Sequence, residues 1–404
     1  MTALLKNKQI VLLFAASFAT LFTGMGLLPI LPLYAARFEA TNSLTGFYFA
    51  AMYAANALGP VAAGWLTVRF SKKVVFLSGA LLGLPALLGL AAARTFIQVV
   101  VFTSLLWFAG GVVLSLVSIF TGLHTNAGSR GKAFSLMAMV APLGTLVGGA
   151  AVGQLVSRFG YSTMFLVLAA SWIFVPLIGW FLKEGPQANA EAVTGRPAPE
   201  ARVSLGTGFA RLLVITFLGS MAVNVSRLGS GLSMNALQFS PEAVSQVAMI
   251  SGLVAIPATL AIGTLSDRLG RRHFLFASFI FAMSGSFILV GASTLWQFGL
   301  AAILHLLAFS ISGAMAQALV TEVVPAQAVS KSLSYLNMLS AAANIVCFAI
   351  GGVLYDLLGL PVVFASAAAL ALLVGTGVET LVHSGSPDPV MGVRLKWWKL
   401  LITR

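Results

Sequence analysis

GTLSDRLGRR at 263–272 repeats GWLTVRFSKK at 64–73 with a shift of 199 residues. The same ungapped shift lays Thr95 and Gln98 on Thr294 and Gln297, and Gly153, Leu155 and Gly160 on Gly352, Leu354 and Gly359. Leucines and glycines coincide by chance in apolar chains. Arg69 on Arg268, each trailed by a basic pair, does not. One offset of half the chain length reads as two parallel halves related by duplication.

What those halves are made of follows from composition. The chain has 404 residues, 59% apolar and 8% charged, with a mean hydropathy of +0.99. A soluble domain carries roughly a quarter charged residues, so this is an all-α polytopic membrane protein. Only regular, internally hydrogen-bonded backbone crosses lipid, so each long run without Asp, Glu, Lys or Arg is a helix. The runs are 9–36, 40–68, 74–93, 95–129, 133–157 and 159–182, then 212–226, 243–266, 274–321, 332–355 and 357–378. The run 274–321 is too long for one crossing and turns at Gly291-Ala292-Ser293-Thr294; the run from 212 passes through Arg227 to about 235. Twelve spans result. A barrel is excluded because the runs are apolar on both alternations, and the lone Cys347 excludes an intramolecular disulfide.

Arg37, Arg94 and Arg158 are the basic residues of one set of loops; apart from Arg227, the rest of the 23 lie on the other side. That bias places both termini in the cytoplasm. It also accounts for the net charge of +13, so nucleic acid is not expected as a partner. No small-residue cleavage site follows the first span, which reads as retained. The expected layout is a six-helix bundle at 1–183, a cytoplasmic linker at 184–207, a second bundle at 208–383 and a basic amphipathic tail at 384–404. The tail suits an anionic inner leaflet, and the whole suits a prokaryotic cytoplasmic membrane.

In the loop between spans 8 and 9, Gly263, Asp267, Arg268, Gly270, Arg271 and Arg272 resemble the motif that the major facilitator superfamily carries between the second and third helices of each half. Thr321 to Pro325, closing span 10, resembles the family's inner Glu-x-x-Pro turn. Pro29 and Pro32 in span 1 resemble the proline pair of its twelve-helix drug and metabolite exporters. The resemblance implies two pseudo-symmetric six-helix bundles, alternating access and a latch favouring the outward-open state. In that latch Asp267 accepts from Arg271 or Arg272 and caps span 11, whose dipole favours an anion. The first copy keeps Arg69 but has Val68 for the acid, so an asymmetric latch is expected.

Transporters resembling this one bind solute at mid-membrane between helices 1, 4, 7 and 10. Polar residues at helical spacing are Ser220, Asn224, Arg227 and Gly231 on span 7, Ser104, Trp107 and Ser115 on span 4, Ser17, Thr20 and Thr23 on span 1, and His305 on span 10. Spans 2 and 11 add Tyr53, Asn56, Asn337 and Asn344. The candidate solute-binding set is Arg227, Asn224, His305, Trp107, Asn56, Ser115, Asn337 and Asn344. A serine or amide in such a span reads equally well as interhelical glue at ~0.6 kcal/mol. Arg227 stands apart. A guanidinium at mid-span costs at least ~2.5 kcal/mol, so it faces a watery cavity or snorkels to the outer headgroups.

All ten acids can be placed, and none is at mid-membrane. Proton-driven exporters of cationic drugs generally need a buried carboxylate, so an anionic, zwitterionic or neutral amphipathic solute is expected. His305 or Glu39 is left to carry a coupling proton, if any. HExxH, GxSxG, a phosphate loop and a Cys/His cluster are all missing, so neither enzyme chemistry nor a metal or cofactor is expected. The expectation is a monomeric secondary transporter exporting a small organic solute. Uptake is the alternative direction, and a transport-inactive receptor is the alternative class.

Overall fold

The computed structural model describes residues 7–125, 127–184, 207–324 and 328–383, with side chains for all but 127–131, 259–260, 262–264, 267–269, 330 and 379–383. Most of the expected linker, the expected tail and Pro325 lie outside these residues.

We number the helices by crossing. α1 is Lys8–Leu27 continued by Leu31–Ala36, α2 Asn42–Leu66, α3 Lys72–Ala91 and α4 Phe96–Leu123. α5 starts as Ala127–Ala138 and runs on into Val140–Trp172; α6 is the part of that segment past Gly160, with Phe174–Phe181. Then follow α7 Thr207–Ala236, α8 Pro241–Leu269, α9 Arg271–Val290, α10 Leu295–Val323, α11 Val329–Leu358 and α12 Leu360–His383. Among the described residues, ten segments are long and apolar enough to cross a bilayer. One of them, Lys132–Phe181, contains two crossings, and the 25-residue Asn42–Leu66 supplies the twelfth.

Several boundaries differ from the sequence reading: in the run 95–129 the helix ends at Leu123 and α5 already begins at Ala127. The run 9–36 is not one helix: it breaks at Leu28–Ile30, where Pro29 has no N–H to donate and Pro32 opens the second piece, as proline favours. The turn between the fifth and sixth spans falls at Gly160 rather than Arg158. Its φ of +79° is one that a residue without Cβ adopts freely.

The duplication is visible in the backbone. Thr95–Gln98 and Thr294–Gln297 both form capping boxes. Gly160 and Gly359 share φ +79°, and Glu39 and Gln238 take φ +57° and +59°. Thr41 caps Leu44 N–H as Ser240 caps Ala243 N–H. Each pair is 199 residues apart.

An even number of crossings puts Lys8 and His383 on one face, here the near face; the opposite is the far face. The first six helices meet the last six through α2–α11, α5–α8 and the Leu31–Ala36 piece of α1 against α7. These contacts start at the far face. A Cβ on Gly46 would lie 2.7 Å from Cα of Gly352, and one on Gly153 would lie 2.5 Å from the Pro241 carbonyl oxygen beside Ser245. Gly46 matches Ser245, and Gly153 matches Gly352, under the 199-residue shift, so the two crossings are mirror copies. Small residues let such helices approach backbone to backbone. The contacts continue inward to Tyr53 on Phe348 and to Gly252 on Pro142.

One continuous apolar core contains the first six helices and the far-face parts of the last six, including Val225, Leu232, Phe348 and Tyr355. The near-face parts of the last six form a separate core around Leu212, Phe279, Met315 and Val374. The contacts between the two sets thus gather toward the far face, and toward the near face the last six helices have an apolar core of their own.

Candidate functional site

On α7 the residue that meets α1 is Gly231, where a Cβ would lie 2.9 Å from Pro32 Cγ. Arg227 is four residues earlier and shares that face. It therefore points at the first six helices rather than at lipid. The Arg227 Nη1 donates to Asn224 Oδ1 at 3.4 Å, and its Cζ sits 5.4 Å over the ring of Phe309 on α10. Asn224 Nδ2 in turn donates to Asn344 Oδ1 of α11 and to the Ser220 carbonyl, both at 2.9 Å. Tyr53 of α2 packs on Phe348, one turn along α11 from Asn344, with ring centroids 4.8 Å apart. Three helices, α7, α10 and α11, thus converge on one cation whose partners, among the described residues, are an amide and a ring.

This arrangement has a direct chemical consequence. A guanidinium presents five N–H donors in a fixed fork and stays charged. The ring contributes about 0.5–2 kcal/mol, and the amide is a neutral acceptor. Among the described residues the remaining donors meet no anion, which leaves them free to receive one from a solute.

His305 lies one turn from Phe309 on α10, but its hydrogen bonds run away from Arg227 into the last six helices. It is 2% exposed inside the last six helices, with its ring against Gly285. Its Nε2 is 3.1 Å from Ser286 Oγ, which lies 2.8 Å from Ser226 Oγ, and the Ala301 carbonyl takes its other nitrogen. Both ring nitrogens are satisfied by a neutral imidazole, and the chain of bonds braces α7, α9 and α10. Ser286→Ala should leave a buried nitrogen unpaired at a cost of about 1–3 kcal/mol, read as a lower unfolding temperature with unchanged solute affinity. A loss of affinity at constant stability would place His305 in the site instead.

The other candidates distribute as follows. Asn56 donates to the Trp107 carbonyl at 3.2 Å, tying α2 to α4 within the first six helices. Ser115 is half-buried on α4, Asn337 is exposed on the near half of α11, and Glu39 is exposed in a far-face turn. Thr20 and Thr23 are buried and bond their own helix at Ala16 and Ala19. In the loop motif, the side chains of Gly263, Asp267 and Arg268 lie outside the described residues. Gly270 turns the chain at φ +94°. Arg271 reaches α10, with Nη1 3.1 Å from Glu322 Oε1 and a bond to the Ala318 carbonyl. Arg69 stacks on Trp65 at 4.5 Å.

Phe309 and Phe348 stand outside the polar stripes of the sequence, because an aromatic ring in an apolar span carries no polar signal. The spacing Asn344, Phe348, Gly352, Asp356 was readable, four residues apart each time.

The sequence pattern described as Major Facilitator Superfamily matches residues 13–233 and 207–390. The chain belongs to that superfamily. It is 25% identical over 316 residues to "Multidrug resistance protein MdtG" of Salmonella choleraesuis (strain SC-B67), covering 74% of this chain and 75% of that one. The Salmonella typhi protein of the same name matches to the same extent. Among solved structures, a single-residue mutant of the nucleoside transporter NupG superposes with a TM-score of 0.78 at 15% identity, covering 93% of this chain and all of that one. A POT family transporter in complex with 5-aminolevulinic acid gives 0.75 at 13%, covering 92% and 95%. A bacterial homologue of the human lysosomal transporter Spinster, inward-facing and unoccupied, gives 0.68 at 13%, covering 94% and 98%. At these identities the structures speak to fold alone. The protein is a multi-pass membrane transporter of the major facilitator superfamily, a family of transporters and not of enzymes.

Proposed function

We propose that this transporter works by alternating access and exports a small organic solute bearing an anionic group, either an anion or a zwitterion with an apolar body. The observation that carries the reading is Arg227, a cation where α7, α10 and α11 converge, with neutral partners. Phe309 beside it suits an amphipathic solute, and the MdtG relatives, named for multidrug resistance, support export. The basic-residue bias supports a cytoplasmic near face, and the bacterial relatives support an inner membrane. In this reading solute enters from the cytoplasmic side.

The test is a thermal-shift screen of the purified protein against aryl carboxylates, amino acids, nucleosides and permanent organic cations, followed by flux of the best ligand in proteoliposomes. Stabilisation by carboxylate-bearing amphiphiles with directional flux is expected. A permanent cation as best ligand would overturn the charge assignment. Stabilisation without flux would instead favour the receptor reading.

The near-face latch of Asp267 belongs to the same proposal. Asp267→Asn removes the charge that would cap α11. Transport should fall at least tenfold with near-normal folding, whereas Val68→Asp in the first copy should be mild. Equal effects at both positions would remove the asymmetry.

A further inference from the structure

The stripe Asn344, Phe348, Gly352, Asp356 runs along one face of α11, and each member meets a different part of the protein. Asn344 holds Asn224 beside Arg227. Phe348 meets Tyr53 and Phe49 of α2, with ring centroids 4.8 and 5.5 Å apart. Gly352 meets Gly46 of α2. Asp356 ends the stripe at the far face. Its Oδ2 accepts from the Ser43 backbone N–H at 2.7 Å and from Ser43 Oγ at 2.5 Å, and the carboxylate is also bonded to Asn42. Asn42 and Ser43 are the first two residues of α2. A carboxylate from the last six helices thus caps a helix of the first six, where unpaired N–H groups and the dipole favour an anion.

The duplicated interface lacks the device. The 199-residue shift lays Asp356 on Ser157 of α5 and Ser43 on Glu242 of α8. Glu242 sits in the first turn of its own helix and accepts there from Gln246 at 3.4 Å. One mirror copy therefore carries an acid across the gap, and the other keeps its acid on its own helix.

We infer that Asp356 is the latch of the far-face gate: its bonds to α2 hold the protein closed on that side, and they break each time the far face opens. The α5–α8 crossing, held by small residues, is the contact about which that opening turns. Because α11 carries both Asn344 and Asp356, the helix that closes the gate also lines the candidate solute site. The latch itself does not depend on Arg227 binding an anion, so either assignment stands if the other fails.

The test uses the full chain with Cys347, its one cysteine, replaced by Ser. Spin labels go on Arg94→Cys and Ser293→Cys, exposed residues of equivalent far-face turns, and the distance between them is measured in the absence of solute. Asp356→Ala should raise the ratio of far-open to far-closed molecules roughly twofold to thirtyfold, the range for losing a side-chain helix cap. Asp356→Asn should show a smaller rise, since an amide still accepts without charge. Ser43→Ala, which keeps the backbone donor, should show a small rise in the same direction. Should Asp356→Ala fail to fold, the Asn and Ser43 variants decide. An unchanged distance distribution in the folded variants, or an equal shift in Ser157→Ala, overturns the proposal.

Discussion

Replacing Arg227 by glutamine should weaken binding of an anionic solute by about tenfold to a hundredfold. A hydrogen bond to a charged group is worth ~1.5–3 kcal/mol, and each 1.4 kcal/mol is tenfold in affinity. Glutamine keeps a donor and much of the length but removes the charge. Lysine keeps the charge and should recover part of the affinity, because it lacks the planar fork that grips two oxygens and meets Phe309 as a point charge rather than as a stacked plane. Titration calorimetry of the three forms reads this directly. An arginine that served only to anchor the helix would tolerate lysine fully and show no dependence on solute charge, so equal affinities in all three forms would remove it from the site.

The second large effect is expected at the far-face crossings. A Cβ on Gly352 would lie 2.8 Å from Cα of Gly46, and one on Gly46 would come as close to Gly352. What it meets is backbone, not the end of a flexible side chain. Relief requires the helices to separate, and overpacking of this kind costs about 1–3 kcal/mol. Gly46→Ala and Gly352→Ala should therefore bias the protein away from far-face closure about fivefold to 150-fold and slow transport accordingly, while the helices themselves gain propensity. Gly122 on α4 has open space around its would-be Cβ, so Gly122→Ala should be silent. Flux and the Arg94–Ser293 distance together check the prediction. Transport at the original rate in both interface variants would mean that the close approach is not required.

How much of this was legible beforehand depends on the physics behind each feature. The twelve crossings, the turns at residues 291–294 and the duplication were readable, because a bilayer demands apolar length and internal hydrogen bonds, and both are properties of the chain alone. Arg227 was singled out for the same reason: its cost inside lipid is large wherever it sits. The break at Pro29 and the turn at Gly160, two residues beyond Arg158, depended on local backbone geometry that hydropathy does not record.

Tertiary structure decided which way each helix turns. Lipid and protein core are equally apolar, so composition cannot tell whether His305 or Phe309, one turn apart on α10, is the one that meets Arg227. Packing did so, directing His305 at Ser286 and Phe309 at Arg227. Asp356 shows the same division. By sequence it is an acid at the end of a span. It becomes a bridge between the two sets of helices only because Gly46 and Gly352 bring α2 against α11, setting the open donors of α2 against its carboxylate.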